Sequence, residues 1–111
     1  MTRAPVLGEF EQLVLLALVR LGRDAYGAAV SEEIEQQTGR PVSVSAVHTT
    51  LDRLEEKGFV RSRLGDPTPQ RGGKRKRHYI VQPVGLRTLQ ASLRALRRMT
   101  DGLDDLLGEP T

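Results

Sequence analysis

Six leucines near the end of the chain constrain its architecture more than any other feature. Leu86, Leu89, Leu93, Leu96, Leu103 and Leu107 are separated by 3, 4, 3, 7 and 4 residues, and Thr100 fills the missing place in a 3-4 heptad. Pro83 suits a first helical position, so the spacing predicts one helix from about Pro83 to Leu107, roughly 36 Å long at ~1.5 Å per residue. The 111 residues suffice for one domain, or one domain with an appended element. So small a domain does not cover such a helix along its length, and a partner helix is the natural cover. The leucines are therefore expected to dimerise the chain. Thr100 and Gly102 weaken the seam, and a bend or splay is expected at that end.

Three helices precede it. The first spans residues 7–21, where Leu7, Phe10, Val14, Leu18 and Leu21 recur at helical spacing and Gly22 supplies a stop. Leu13, Leu15, Leu16 and Val19 make its other side apolar too, so it must be covered on most sides. The second runs from about Tyr26 to Gln37, with Tyr26, Val30 and Ile34 on one face and Glu32, Glu33 and Glu35 outward; Gly39 and Pro41 end it. The third is the best punctuated. Ser43 is read first as its N-cap. Val44, Val47, Leu51 and Leu54 form a narrow apolar stripe, and Gly58 with Phe59 closes it as in a Schellman motif. Two strand-like runs follow, about Val60–Leu64 and Lys76–Val81. The turn formers Gly-Asp-Pro-Thr-Pro-Gln-Arg-Gly-Gly (65–73) lie between them. Tyr79 and Val81 are expected to face inward, and Tyr26 and Tyr79 are read as core aromatics rather than ligands.

A net charge of +3 decides nothing by itself, but its distribution is informative. From Arg61 to His78 there are seven Lys and Arg residues against one acid, Asp66, whereas Asp101 to Thr111 holds four acids and no Lys or Arg. Helix, helix, tight turn, helix and basic hairpin is the layout of a winged helix-turn-helix. The fold class is thus mainly α with a small β-hairpin. Residues 1–82 form the DNA-binding domain and 83–111 a C-terminal dimerisation helix. Ser45, His48 and Thr49 lie near the start of the third helix, on its free face, and can exchange hydrogen bonds with base edges in a major groove. Ser43 and Arg53 are further candidates, although Arg53 has a second reading as a partner of Asp52 or Glu56. In the wing, Arg71, Lys74, Arg75, Lys76 and Arg77 can neutralise phosphates or enter a minor groove, because so dense a cationic turn repels itself unless a polyanion relieves it.

Four blocks carry a family resemblance: Leu-Gly-Glu-Phe-Glu-Gln-Leu-Val-Leu-Leu-Ala-Leu (7–18), Ala-Tyr-Gly (25–27), Val-Ser-Val-Ser-Ala-Val-His-Thr-Thr-Leu-Asp-Arg-Leu-Glu-Glu-Lys-Gly (42–58), and Gly-Asp-Pro-Thr-Pro-Gln-Arg-Gly-Gly-Lys-Arg-Lys-Arg-His-Tyr (65–79). In this order they closely resemble the PadR family of transcriptional regulators, in the short form with a single C-terminal helix, over Leu7 to about Leu96. The resemblance implies a homodimer joined largely through the last helix, binding double-stranded DNA at a near-palindromic operator and usually repressing. It also implies a response to small aromatic or hydrophobic effectors. The last helix, however, has no Trp or Phe on which such a compound would stack. His48 departs from the family's common Tyr, and His78 precedes Tyr79 where another residue is often found. The family's base preference therefore does not transfer.

Other functions find little footing. The chain has no Cys, and its two histidines lack metal-ligand spacing, so neither a metal site nor a cofactor is expected. Arg-Gly-Gly-Lys (71–74) lies in a charged hairpin rather than after an apolar strand, and no set of acid, base and nucleophile is concentrated anywhere. An enzyme is not expected. The rival reading is a winged-helix module that binds protein or RNA without operator specificity. The most apolar run, Leu13–Val19, is far shorter than the ~20 residues of a membrane span, and the N-terminus has no signal-peptide pattern, so the expected location is cytoplasmic, with no membrane partner.

Overall fold

In the computed structural model, which describes residues 7–65 and 76–108, the first helix α1 (Glu9–Leu21) occupies the centre of the core. Its start is set by Glu11, whose Oε1 accepts the Gly8 backbone N–H at 2.9 Å, satisfying a donor that the first turn leaves unpaired. Val14, Leu15, Ala17 and Leu18 are buried, and Phe10, Leu13, Leu16 and Leu21 are partly covered. The second helix α2 (Gly27–Thr38) and third helix α3 (Val44–Glu56) pack against α1, as do the second strand and the C-terminal helix. The nearly all-round apolar character of α1 is thereby used.

Helix α2 begins one residue later than the spacing predicts. Tyr26 is its N-cap, with extended backbone (φ −115°, ψ 164°), and pairs across an isolated bridge with His78. Helix α3 is capped as expected: the Ser43 hydroxyl oxygen accepts the Ala46 N–H at 3.0 Å. Its end is a Schellman closure. Gly58 has φ 79°, its N–H reaches Glu55 O at 2.9 Å, and the Phe59 N–H reaches Leu54 O at 2.9 Å. The buried stripe is Val47, Thr50, Leu51 and Leu54. Val44, expected within it, is exposed. It is the first helical residue, and side chains lean toward a helix's N-terminus, which carries this one past the packed face. Helix α3 is also tied to α1 by an ion pair, Lys57 Nζ to Glu11 Oε2 at 2.8 Å.

Strands β1 (Val60–Leu64) and β2 (Arg77–Val81) pair antiparallel, with Val60 opposite Val81, Ser62 opposite Tyr79 and Leu64 opposite Arg77. Tyr79 is buried and Val81 half-buried, as the alternation predicts. Lys76 stands just before β2 rather than within it.

The last element departs most from expectation. Helix α4 (Pro83–Thr100) stops at Thr100, and a separate turn of helix, α5 (Asp104–Leu107), follows. The expectation of one helix to Leu107 is thus corrected. Asp101 leaves the helical region (φ −57°, ψ 132°) and Gly102 takes φ 80°, a backbone that glycine adopts without steric cost. Leu103 and Leu107 do not continue the line of Leu86, Leu89, Leu93 and Leu96. Leu89 is buried in its own chain and Leu93 is packed against the same core, whereas Leu86, Leu96 and Met99 are exposed. Gly85 lets α4 approach the Phe59 carbonyl so closely that no larger residue fits there. No described helix is long and apolar enough to cross a membrane.

Candidate nucleic-acid interface

Because α3 is held through one stripe, its opposite face is free. Ser45, His48, Thr49 and Arg53 are all exposed on it. Ser43 is engaged as the cap. The Thr49 hydroxyl donates to Ser45 O at 3.1 Å, which leaves its oxygen lone pairs available as acceptors. Arg53 forms no ion pair with Asp52 or Glu56 among the described residues, and its charge acts on the Glu11 carboxylate. The His48 ring rests against Gly27 at the start of α2. The free face of α3 therefore abuts the N-terminal end of the preceding helix.

The base of the wing meets the same region. Lys76 Nζ lies 4.1 Å from the centroid of the Tyr26 ring, a cation–π contact of about 0.5–1 kcal/mol at an exposed site. The His78 ring meets Tyr26 edge-on at 5.7 Å, and its Nδ1 lies 2.9 Å from the Arg23 carbonyl oxygen, to which it donates. Arg77 is used internally: it donates to Ser62 Oγ at 3.1 Å, and the Ser62 hydroxyl donates to Glu55 Oε2 at 2.7 Å. This relay fastens the wing strands to α3. Arg71, Lys74 and Arg75 lie outside the described residues.

Three ionisable groups near this frame depart from their ordinary behaviour. Burial pushes the Tyr79 phenol up, and the charges of Asp52 and Glu55 add to it, so the ring is a neutral core group. Burial also works to raise Glu11. The hydrogen bonds from Lys57 and the Gly8 N–H outweigh it and hold that carboxyl below the usual range. On the outer side of α2, the hydrogen bond from Arg20 holds Glu33 low. This pair ties the outer side of α2 to α1. Among the described residues no group of three or more His, Asp or Glu side chains is placed to hold a metal ion.

The arrangement brings Ser45, His48 and Thr49 together on one helix face and sets Lys76 beside the start of α2. Tyr26 and Gly27 were not singled out as site residues from the sequence. Their signal was present in Ala-Tyr-Gly (25–27), one of the four blocks that carry the family resemblance.

A family model described as the transcriptional regulator PadR-like family matches residues 15–91. None of the curated proteins matches the chain. Among solved structures, a PadR family transcriptional regulator from Eggerthella lenta is similar at 28% identity and TM-score 0.66, over 92% of this chain and 88% of that one. A PadR family regulator from Clostridium difficile R20291 shares the fold at TM-score 0.72 and 20% identity, over 91% of this chain and 100% of that one. The PcaV regulator of Streptomyces coelicolor, solved with its natural ligand, shares it at TM-score 0.68 and 20% identity, over 92% of this chain and 64% of its own.

Proposed function

The chain belongs to the PadR-like family of transcriptional regulators, which makes it a DNA-binding regulator of transcription rather than an enzyme, and we propose that it acts as a homodimer that represses from a near-palindromic operator. The observation that carries this reading is the free face of α3, where Ser45, His48 and Thr49 stand exposed on a helix whose other side is anchored in the core. These three read base edges. Arg53, Lys76 and the wing-tip cations Arg71, Lys74 and Arg75 hold the phosphate backbone, which positions the protein without specifying sequence. Arg77 contributes charge while bound to Ser62.

The dimer reading rests on apolar side chains that a single chain leaves uncovered: Leu86, Leu96 and Met99 on α4, and Leu103, Leu106 and Leu107 beyond it. Leu89 and Leu93 serve chiefly to fix α4 on its own subunit. The division into residues 1–82 for reading DNA and 83–111 for pairing is accordingly one of task, since Gly85 and Leu89 belong to the common core. A two-fold dimer presents its recognition helices about one DNA turn apart, ~34 Å. The reading assigns no small-molecule effector, as α4 carries no aromatic side chain.

Hydroxyl-radical footprinting on the DNA upstream of its own gene tests the reading. Two protected half-sites whose centres are about 10 base pairs apart are expected. A single protected half-site, or protection indifferent to sequence, would remove the homodimer on an operator.

A further inference from the structure

A groove of about 270 Å³ runs between the C-terminal end of α1, the turn after it and the outer face of β2. Leu18 and Tyr79 form its buried floor, and Val19 and Ile80, each 52% exposed, form its apolar walls. Arg23 and Arg63 stand at its rim, and no carboxylate lines it. Among the groove's residues, Tyr79, His78 and the backbone carbonyl of Arg23 also belong to the region described above.

The end of the chain has the complementary character. From Asp101 onward the described residues include Asp104 and Asp105 and no Lys or Arg. Leu106 and Leu107 on α5 are 83% and 65% exposed. A helix of four residues does not persist by its own hydrogen bonds, because nucleation costs more than so few return. It requires a surface to lie on.

Its own groove is out of reach. Helix α4 starts beside the groove, two residues after Val81, and its 18 residues carry the tail about 27 Å away at 1.5 Å per residue. The three residues between α4 and α5 span at most about 10 Å. If two α4 helices pair antiparallel, each tail instead arrives alongside the start of the other α4, next to Val81 and the groove. We propose that the groove receives residues 101–107 of a second copy of this chain. Leu106 and Leu107 enter between Val19 and Ile80, and Asp104 and Asp105 face Arg23 and Arg63. This rests on the homodimer reading and adds to it a second, charge-matched contact. That contact grips β2, the strand leading out of the wing.

The absence of cysteine in the chain makes a direct test available. The full chain carrying Ile80→Cys and Leu106→Cys is oxidised, run without reductant and mapped by mass spectrometry, beside a control pairing Gln36→Cys with Leu106→Cys. The expected result is a covalent dimer joined from residue 80 to residue 106, which the control does not form. Adding Arg23→Glu and Arg63→Glu cuts its yield several-fold, and Asp104→Lys with Asp105→Lys restores it. A dimer by light scattering that forms no such link overturns this inference and leaves the homodimer standing. A link within one chain overturns the choice of a second copy, and a monomer at micromolar concentration removes both.

Discussion

The imidazole of His48 lies so close to Gly27 that a methyl group at position 27 would fall 2.5 Å from Nε2 and 2.7 Å from Cε1. The contact joins the middle of the exposed face of α3, proposed to read DNA, to the first residue of α2. It is made by the end of a side chain that can rotate, not by backbone. Gly27→Ala is therefore expected to move the ring rather than break the fold, with thermal stability changed by less than about 1 kcal/mol. Its operator preference should shift in the same direction as that of His48→Ala. Anisotropy titrations against a panel of single-base operator variants, beside melting curves, check both halves.

Gly85 presents the opposite case. A side chain there meets the Phe59 carbonyl, which is fixed by the end of α3 and accepts the Gln82 N–H at 2.8 Å. Backbone cannot rotate out of the way, so Gly85→Ala should cost about 1–3 kcal/mol, the usual range for overpacking. Urea denaturation measures it, and an unchanged midpoint would show that α4 is not seated on Phe59.

Glu11 makes stability depend on pH. Its folded carboxyl releases its proton more readily than the unfolded one. The stabilisation is thus complete above the unfolded value of about 4.3 and is lost as pH falls through the lower folded value. Glu11→Gln retains an acceptor for Gly8 but loses the charge facing Lys57. A deficit of about 1–2 kcal/mol is expected at pH 7, shrinking toward zero as pH falls and the wild-type carboxyl protonates. A deficit constant from pH 7 to pH 3 would place the effect in packing instead.

Wing and recognition helix should separate by their signatures. Lys74→Ala with Arg75→Ala is expected to weaken every duplex alike and to lower the salt slope by about 1–2, as phosphate contacts do. His48→Ala should alter which duplex is preferred. The reverse pattern in the same binding assay would mean that the two elements have exchanged roles.

Much of the fold was legible in the sequence because its punctuation is local. Ser43 before an apolar stripe, Gly58 before Phe59, and Pro83 before the leucines each fix a helix end through hydrogen bonds within a few residues. The exposed face of α3 then follows from the narrowness of its stripe. What the spacing of leucines does not reveal is where Leu89 finds its cover, since burial in the same chain and burial in a partner leave one pattern. The break at Asp101 and Gly102 was signalled only as a weakness, because glycine permits a left-handed backbone without requiring it. The seat of His48 on Gly27 joins two residues 21 apart in sequence, on different helices, and periodicity within either helix is blind to it. Tyr26 was placed on the buried face by its spacing to Val30. Pairing with His78 pulls its backbone out of the helix instead.

The central claim, a sequence-specific DNA-binding regulator, is tested most directly by fluorescence anisotropy with the DNA upstream of its own gene, against a scrambled duplex and across a salt series. The account predicts a preference of ~10³-fold or more for the upstream DNA, with a steep loss of affinity as salt rises. Equal binding to both duplexes, or no binding at low salt, would contradict it.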